Sequence, residues 1–90
     1  MRVDFKKPFE FEGKTFDGLE LDLDALTGQD LIDAEREASA IIGRPAVDID
    51  KTYQACIAAK ASGTVVDMLI KLPAREFSKI TSEVQLFLLA

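Results

Sequence analysis

The chain carries one thiol, Cys56, and no histidine. A serine or cysteine nucleophile needs a neighbouring base or cation, and imidazole is the usual base. The lack of histidine also removes the commonest metal ligand. Cys56 falls between Tyr53 and Ile57 on a helix-spaced stripe, where a lone cysteine is expected to be a small buried packing residue. Tyr53 is expected in the core too, with its hydroxyl at the periphery. The remaining chemistry is carboxylate chemistry. Asp17, Glu20, Asp22 and Asp24 form an acidic ladder, and Asp30, Asp33, Glu35 and Glu37 cluster around Arg36. A cation site needs oxygens that converge on one ion, whereas side chains from a single strand face project in parallel. The ladder is therefore expected to be a solvated face that discourages edge pairing, and the second cluster an exposed helix face. No carboxylate spacing favours a glycosidase acid–base pair. Glycines 13, 18, 28, 43 and 63 lie too far apart for a phosphate-cradling loop. No catalytic residue, cofactor or metal is expected.

The elements that would carry these groups follow from the spacing of apolar residues. Val3, Phe5, Phe9 and Phe11 share odd positions, interrupted by Pro8, which reads as an edge-type strand. Glu12-Gly13-Lys14-Thr15 supplies a tight turn. The returning strand runs from Phe16 through Leu19, Leu21 and Leu23, so its parity changes across Asp17-Gly18. A β-bulge at Gly18 would restore a single buried face. A hairpin is thus predicted over about 3–24. Hydrophobic spacing then lengthens, and Leu31, Ala34, Ala38 and Ile41 recur at the helical interval.

Thr27 and Asp30 mark the start of a helix over about 28–42, and Gly43 its left-handed stop. A second helix is predicted over about 49–62, with Asp48 as N-cap, Gly63 as stop, and a weak stripe of Ile49, Tyr53, Cys56, Ile57 and Lys60/Ala61. Thr64 would cap a short third helix over about 65–71, carrying Val65, Met68, Leu69 and Leu72. Pro73 would occupy the first turn of a final helix over about 73–88. The expected fold class is α+β: an N-terminal hairpin, unstable alone, packed on three to four helices.

Bulk composition fits one small domain spanning 1–90. It is 48% hydrophobic and 30% charged, with three prolines and five glycines, which is globular rather than disordered. The net charge of −5 argues against nucleic acid as the main partner, because phosphate binding needs a basic face. Residues 1–50 carry 6 basic and 13 acidic groups, and residues 51–90 carry 5 basic and 3 acidic. The lone cysteine fits a reducing compartment. The start, MRVDFKKPFEF, lacks the apolar core of a signal peptide, and no apolar run is long enough to span a membrane. A cytoplasmic location is expected.

The final helix holds the most suggestive pattern. Phe77, Ile80, Val84, Phe87 and Leu88 form one stripe, while Leu86 and Leu89 lie off it, and Gln85 is the only polar residue in 84–89. Either the domain encloses this turn on most sides, or the turn leaves an apolar patch for a partner or for self-association.

Taken in order, PFEFEGKTFDGLELD in the hairpin, TGQDLIDAERE in the first helix, Tyr53 with IAAKASG, LPAREF and finally VQLFL resemble the short tail assembly chaperones of tailed bacteriophages and prophages. The resemblance covers nearly the whole chain. It implies a non-enzymatic protein that binds the long, helical, hydrophobic tape measure protein. Such a protein keeps its partner soluble until tail tube subunits polymerise around it, and is missing from the mature virion. The partner-binding surface would then be Phe77, Ile80, Val84, Leu86, Phe87, Leu88 and Leu89, because holding an amphipathic helix takes an apolar surface. Two alternatives are a structural component of a phage tail or other assembly, and a small regulatory or antitoxin-like module.

Overall fold

The computed structural model describes residues 1–90. An antiparallel two-stranded hairpin precedes four α-helices, giving an α+β architecture. The strands are β1 (Arg2–Phe11) and β2 (Lys14–Glu20); a 3-10 turn follows at Leu23–Ala25. The helices are α1 (Gly28–Ile42), α2 (Lys51–Ser62), α3 (Val66–Lys71) and α4 (Ala74–Leu89).

Glu12 and Gly13 both take positive φ, 50° and 79°, as a two-residue primed turn between twisted strands requires. The parity break is accommodated on the other strand from the one expected. Arg2, Val3 and Asp4 pair with Glu20, Leu19 and Gly18, and pairing resumes with Phe9 opposite Phe16. Phe5 to Pro8 of β1 therefore face only Asp17 across the ladder. Opposed residues share a face, so Val3 meets Leu19, Phe9 meets Phe16, and all four reach the core. Gly18 sits in regular pairing for a different reason. A Cβ there would lie 2.6 Å from the Val3 carbonyl oxygen, so the close approach of the strands requires glycine.

At the irregular stretch α4 supplies polar partners. The Lys6 N–H donates to Glu76 Oε2 at 3.1 Å, and Lys79 Nζ donates to the Asp4 carbonyl at 2.9 Å. Glu76 is buried, and Lys79 Nζ lies 3.4 Å from its Oε1. One carboxylate and one ammonium thus fasten the start of α4 to the bulged strand.

β2 ends at Glu20, short of the expected boundary at 24. Met1 and Leu21 still exchange bonds in the same register, the Leu21 N–H donating to the Met1 carbonyl (2.7 Å) and the Met1 amine to the Leu21 carbonyl (2.8 Å). The Asp22 N–H then turns to the Ala61 carbonyl (3.0 Å), which ends the ladder. Leu21 and Leu23 remain buried; their alternation marks the core-facing side beyond the end of pairing.

α1 begins with a full capping box: Asp30 N–H donates to Thr27 Oγ1 (3.3 Å) and Thr27 N–H to Asp30 Oδ2 (2.9 Å). It ends at Gly43 in the left-handed region. Ala34 and Ala38 are buried, whereas Ile41 points outward and Ile42 packs on the core.

α2 starts at Lys51 after Asp50, two residues later than expected, and Asp48 is not its cap. Asp50 accepts two bonds from Arg44 (2.9 and 2.7 Å) and one from the Val47 N–H (2.8 Å). The loop held this way leaves Ile49 exposed rather than on a buried stripe. Residues Tyr53 to Ala59 are all buried, and α2 touches α1, α3, α4, β2 and the 3-10 turn. A helix enclosed on all sides shows no stripe, which explains the weak pattern in its sequence. Val65, not Thr64, occupies the cap of α3, and Thr64 Oγ1 pairs with Ser62 Oγ at 2.8 Å. Pro73 stands at the cap of α4, one residue before the helix, and not in its first turn.

Candidate functional site

α4 is held by Ile80 and Val84, which are wholly buried, and by Phe77, Phe87 and Leu88, which are half-buried against the core. A helix advances about 100° per residue, so Leu86 projects nearly opposite Val84, and Leu89, three residues on, stands beside it. Leu86 is 61% exposed and Leu89 73%. The residues singled out on this helix therefore separate by role. Ile80 and Val84 are unreachable from solvent and anchor the helix; Leu86 and Leu89, with the free edges of Phe87 and Leu88, form the outward apolar surface.

Leu86 stands between two grooves. One, of about 310 Å³, lies between α4 and the Leu21–Asp24 segment and is bordered by Glu83, Leu86 and Phe87. The other, of about 350 Å³, runs between α4 and the start of α2, with Ile49, Gln54 and Gln85 on its walls. Ile49 is 75% exposed and extends the apolar surface beyond α4. Sequence spacing puts it on the stripe of the second helix, whereas the residue sits in the Arg44–Asp50 loop just before that helix and faces solvent. Gln54 is buried in α2 and donates to the Asp48 carbonyl (3.0 Å) and to Gln85 Oε1 on α4. That bond links α2 to α4, while the burial of Ile80 and Val84 sets the rotation that leaves Leu86 outward.

The other candidates disperse. Asp17 pairs with Arg2 at 2.6 Å, and Glu20 with the Met1 amine at 3.0 Å; Asp22 and Asp24 are exposed and unpaired. On α1, Asp33 accepts from Gln29 at 2.9 Å, and Glu35, Arg36 and Glu37 are exposed. No three of these groups come together around a point where a metal ion would sit. Cys56 is completely enclosed, and burial, reinforced by Glu37, pushes its thiol up to about 12. A thiol held protonated in this way is not a nucleophile at neutral pH. Tyr53 is buried and its phenol is likewise raised, chiefly by burial.

No helix is long and apolar enough to cross a membrane. Comparison with family models, curated proteins and solved structures returned no match.

Proposed function

We propose that this protein is a non-enzymatic tail assembly chaperone of a phage or prophage, which holds the helical, hydrophobic tape measure protein in soluble form. The observation that carries the proposal is the exposed pair Leu86 and Leu89 at the end of α4, with the exposed Ile49 lining the same groove as Leu86. Exposed leucines three residues apart are the spacing on which another helix packs. Burying one such side chain in a partner stabilises a complex by about 1.5–3 kcal/mol before the costs of association. The full-length resemblance to tail assembly chaperones points to the same role, in the host cytoplasm.

Co-expression with a fragment of the tape measure protein tests it. The fragment is expected to move from the insoluble to the soluble fraction and to co-purify with the chain, and a Leu86→Ser, Leu89→Ser variant is expected to lose both effects. Mass spectrometry of purified particles separates a chaperone, which is absent from them, from a structural component, which is retained. A fragment that stays insoluble and fails to co-purify contradicts the proposal.

A further inference from the structure

We propose that the groove between α4 and the Leu21–Asp24 segment accepts a basic amphipathic helix: an apolar stripe flanked by lysine or arginine. This rests on the role proposed above for the same turn of α4, and adds the chemistry of the helix it takes. The groove is lined by Leu21, Leu23, Leu86 and Phe87, of which Leu86 is largely exposed and Phe87 half-buried, and by an acidic rim of Asp22, Asp24 and Glu83. None of the three rim carboxylates has a cation partner; the ion pairs of the chain lie elsewhere. The one positive group at the groove's end, the Met1 amine, is already engaged by Glu20 at 3.0 Å and the Leu21 carbonyl at 2.8 Å. An incoming apolar side chain packs on Leu86 and Phe87 while flanking cations meet the unpaired carboxylates of Asp22, Asp24 and Glu83, an attraction that added salt weakens. Complementarity of this kind sets partner choice and encounter rate more than raw affinity.

The same charges disfavour a second copy as the occupant. A two-fold contact would place each acidic rim against a chain of net charge −5 whose first fifty residues hold 13 of its 16 acidic groups. A helix with acidic flanks is rejected for the same reason.

The test uses three labelled synthetic peptides of about 18 residues, or five helical turns. One has a leucine stripe flanked by lysines, one has the same stripe flanked by glutamates, and one keeps the lysines but scrambles the stripe. Fluorescence anisotropy is read against the whole chain, against Leu86→Ser, and against the combined Asp22→Asn, Asp24→Asn, Glu83→Gln variant, with circular dichroism showing each variant folded. The lysine-flanked stripe is expected to bind alone, and to weaken about tenfold or more in either variant, the loss typical of removing one interface anchor. Equal binding of the glutamate-flanked or scrambled peptide overturns the proposal, as does affinity unchanged in both variants. Light scattering that shows a dimer dissociated by Leu86→Ser assigns the surface to a second copy and overturns it too. The two proposals fail separately. If the rim variant still solubilises the tape measure fragment, the groove assignment falls and the chaperone role stands; if the peptide binds but the fragment stays insoluble, the reverse holds.

Discussion

Replacing Leu86 and Ile80 in turn separates the surface of α4 from its core. Leu86 retains 61% of its exposure, so only about two-fifths of the roughly 1.5–3 kcal/mol for burying a leucine is at stake, about 0.6–1.2 kcal/mol. Serine is also a poorer helix former than leucine, which adds about 0.3 kcal/mol. Leu86→Ser is therefore expected to cost about 1–1.5 kcal/mol. Ile80 is fully enclosed, and truncation to alanine leaves a cavity among its neighbours, at about 2–5 kcal/mol. Urea unfolding followed by circular dichroism reads both. The midpoints should shift in that order with an unchanged denaturant slope, because neither change alters how much surface unfolding exposes. An apolar reporter dye supplies an independent sign: binding falls in Leu86→Ser, which removes exposed surface, and rises in Ile80→Ala, which loosens the core. If Leu86→Ser costs as much as Ile80→Ala, Leu86 is a core residue and the assignment of an outward apolar surface is refuted.

Three further outcomes follow from particular contacts. Gly18→Ala would ordinarily stabilise a strand by about 0.4–1 kcal/mol through the unfolded chain. Here the new methyl lies 2.6 Å from the Val3 carbonyl oxygen and 2.8 Å from Arg2 Nη2, and overpacking of about 1–3 kcal/mol wins; a melting temperature at or above that of the parent would contradict this. Cys56 keeps its proton up to about 12 when folded, against an ordinary 9.0, so its contribution is intact below pH 9 and is lost as pH rises from there toward 12. Iodoacetamide should label it only in denaturant, and rapid labelling of the folded chain at neutral pH would count against its burial. Asp50 is held down to about 2 by Arg44 and the Val47 N–H, against an ordinary 3.8, so its contribution is present above pH 3.8 and fades as pH falls to about 2. Arg44→Ala should flatten the acid limb of the stability curve over that window, and an acid limb identical to the parent's would exclude the pair as its source.

Much of the fold was legible because it depends on local signals. The Thr27–Asp30 capping box and Gly43 bound α1 at the positions their chemistry dictates, and Gly13 marks the hairpin turn. Errors arose where a distant partner decided the outcome. The parity change in β2 identified the level of the irregularity, but Glu76 and Lys79, some seventy residues away, provide polar partners for a bulge in β1 instead. Asp48 and Asp50 are equally good caps by type; Asp50 holds the position, but its carboxylate accepts from Arg44 and the Val47 N–H rather than from the first turn of the helix. In the candidate site, the surplus of apolar residues in 84–89 marks the turn of α4 on which Leu86 and Leu89 are exposed. Helical phase alone could not say which of them the rest of the protein covers. Ile49 is read by spacing as part of a buried stripe, and its exposure is set by the Arg44–Asp50 loop rather than by periodicity.

The most direct test of the central claim is a methyl-resolved NMR titration of the chain, labelled at isoleucine, leucine and valine, with a soluble fragment of the tape measure protein. The methyls of Leu86, Leu89 and Ile49 are expected to shift or broaden first, with Ile80 and Val84 following weakly if at all. Shifts confined to another face of the protein, or none at a fragment excess that saturates co-purification, would contradict a helix-binding surface at the end of α4.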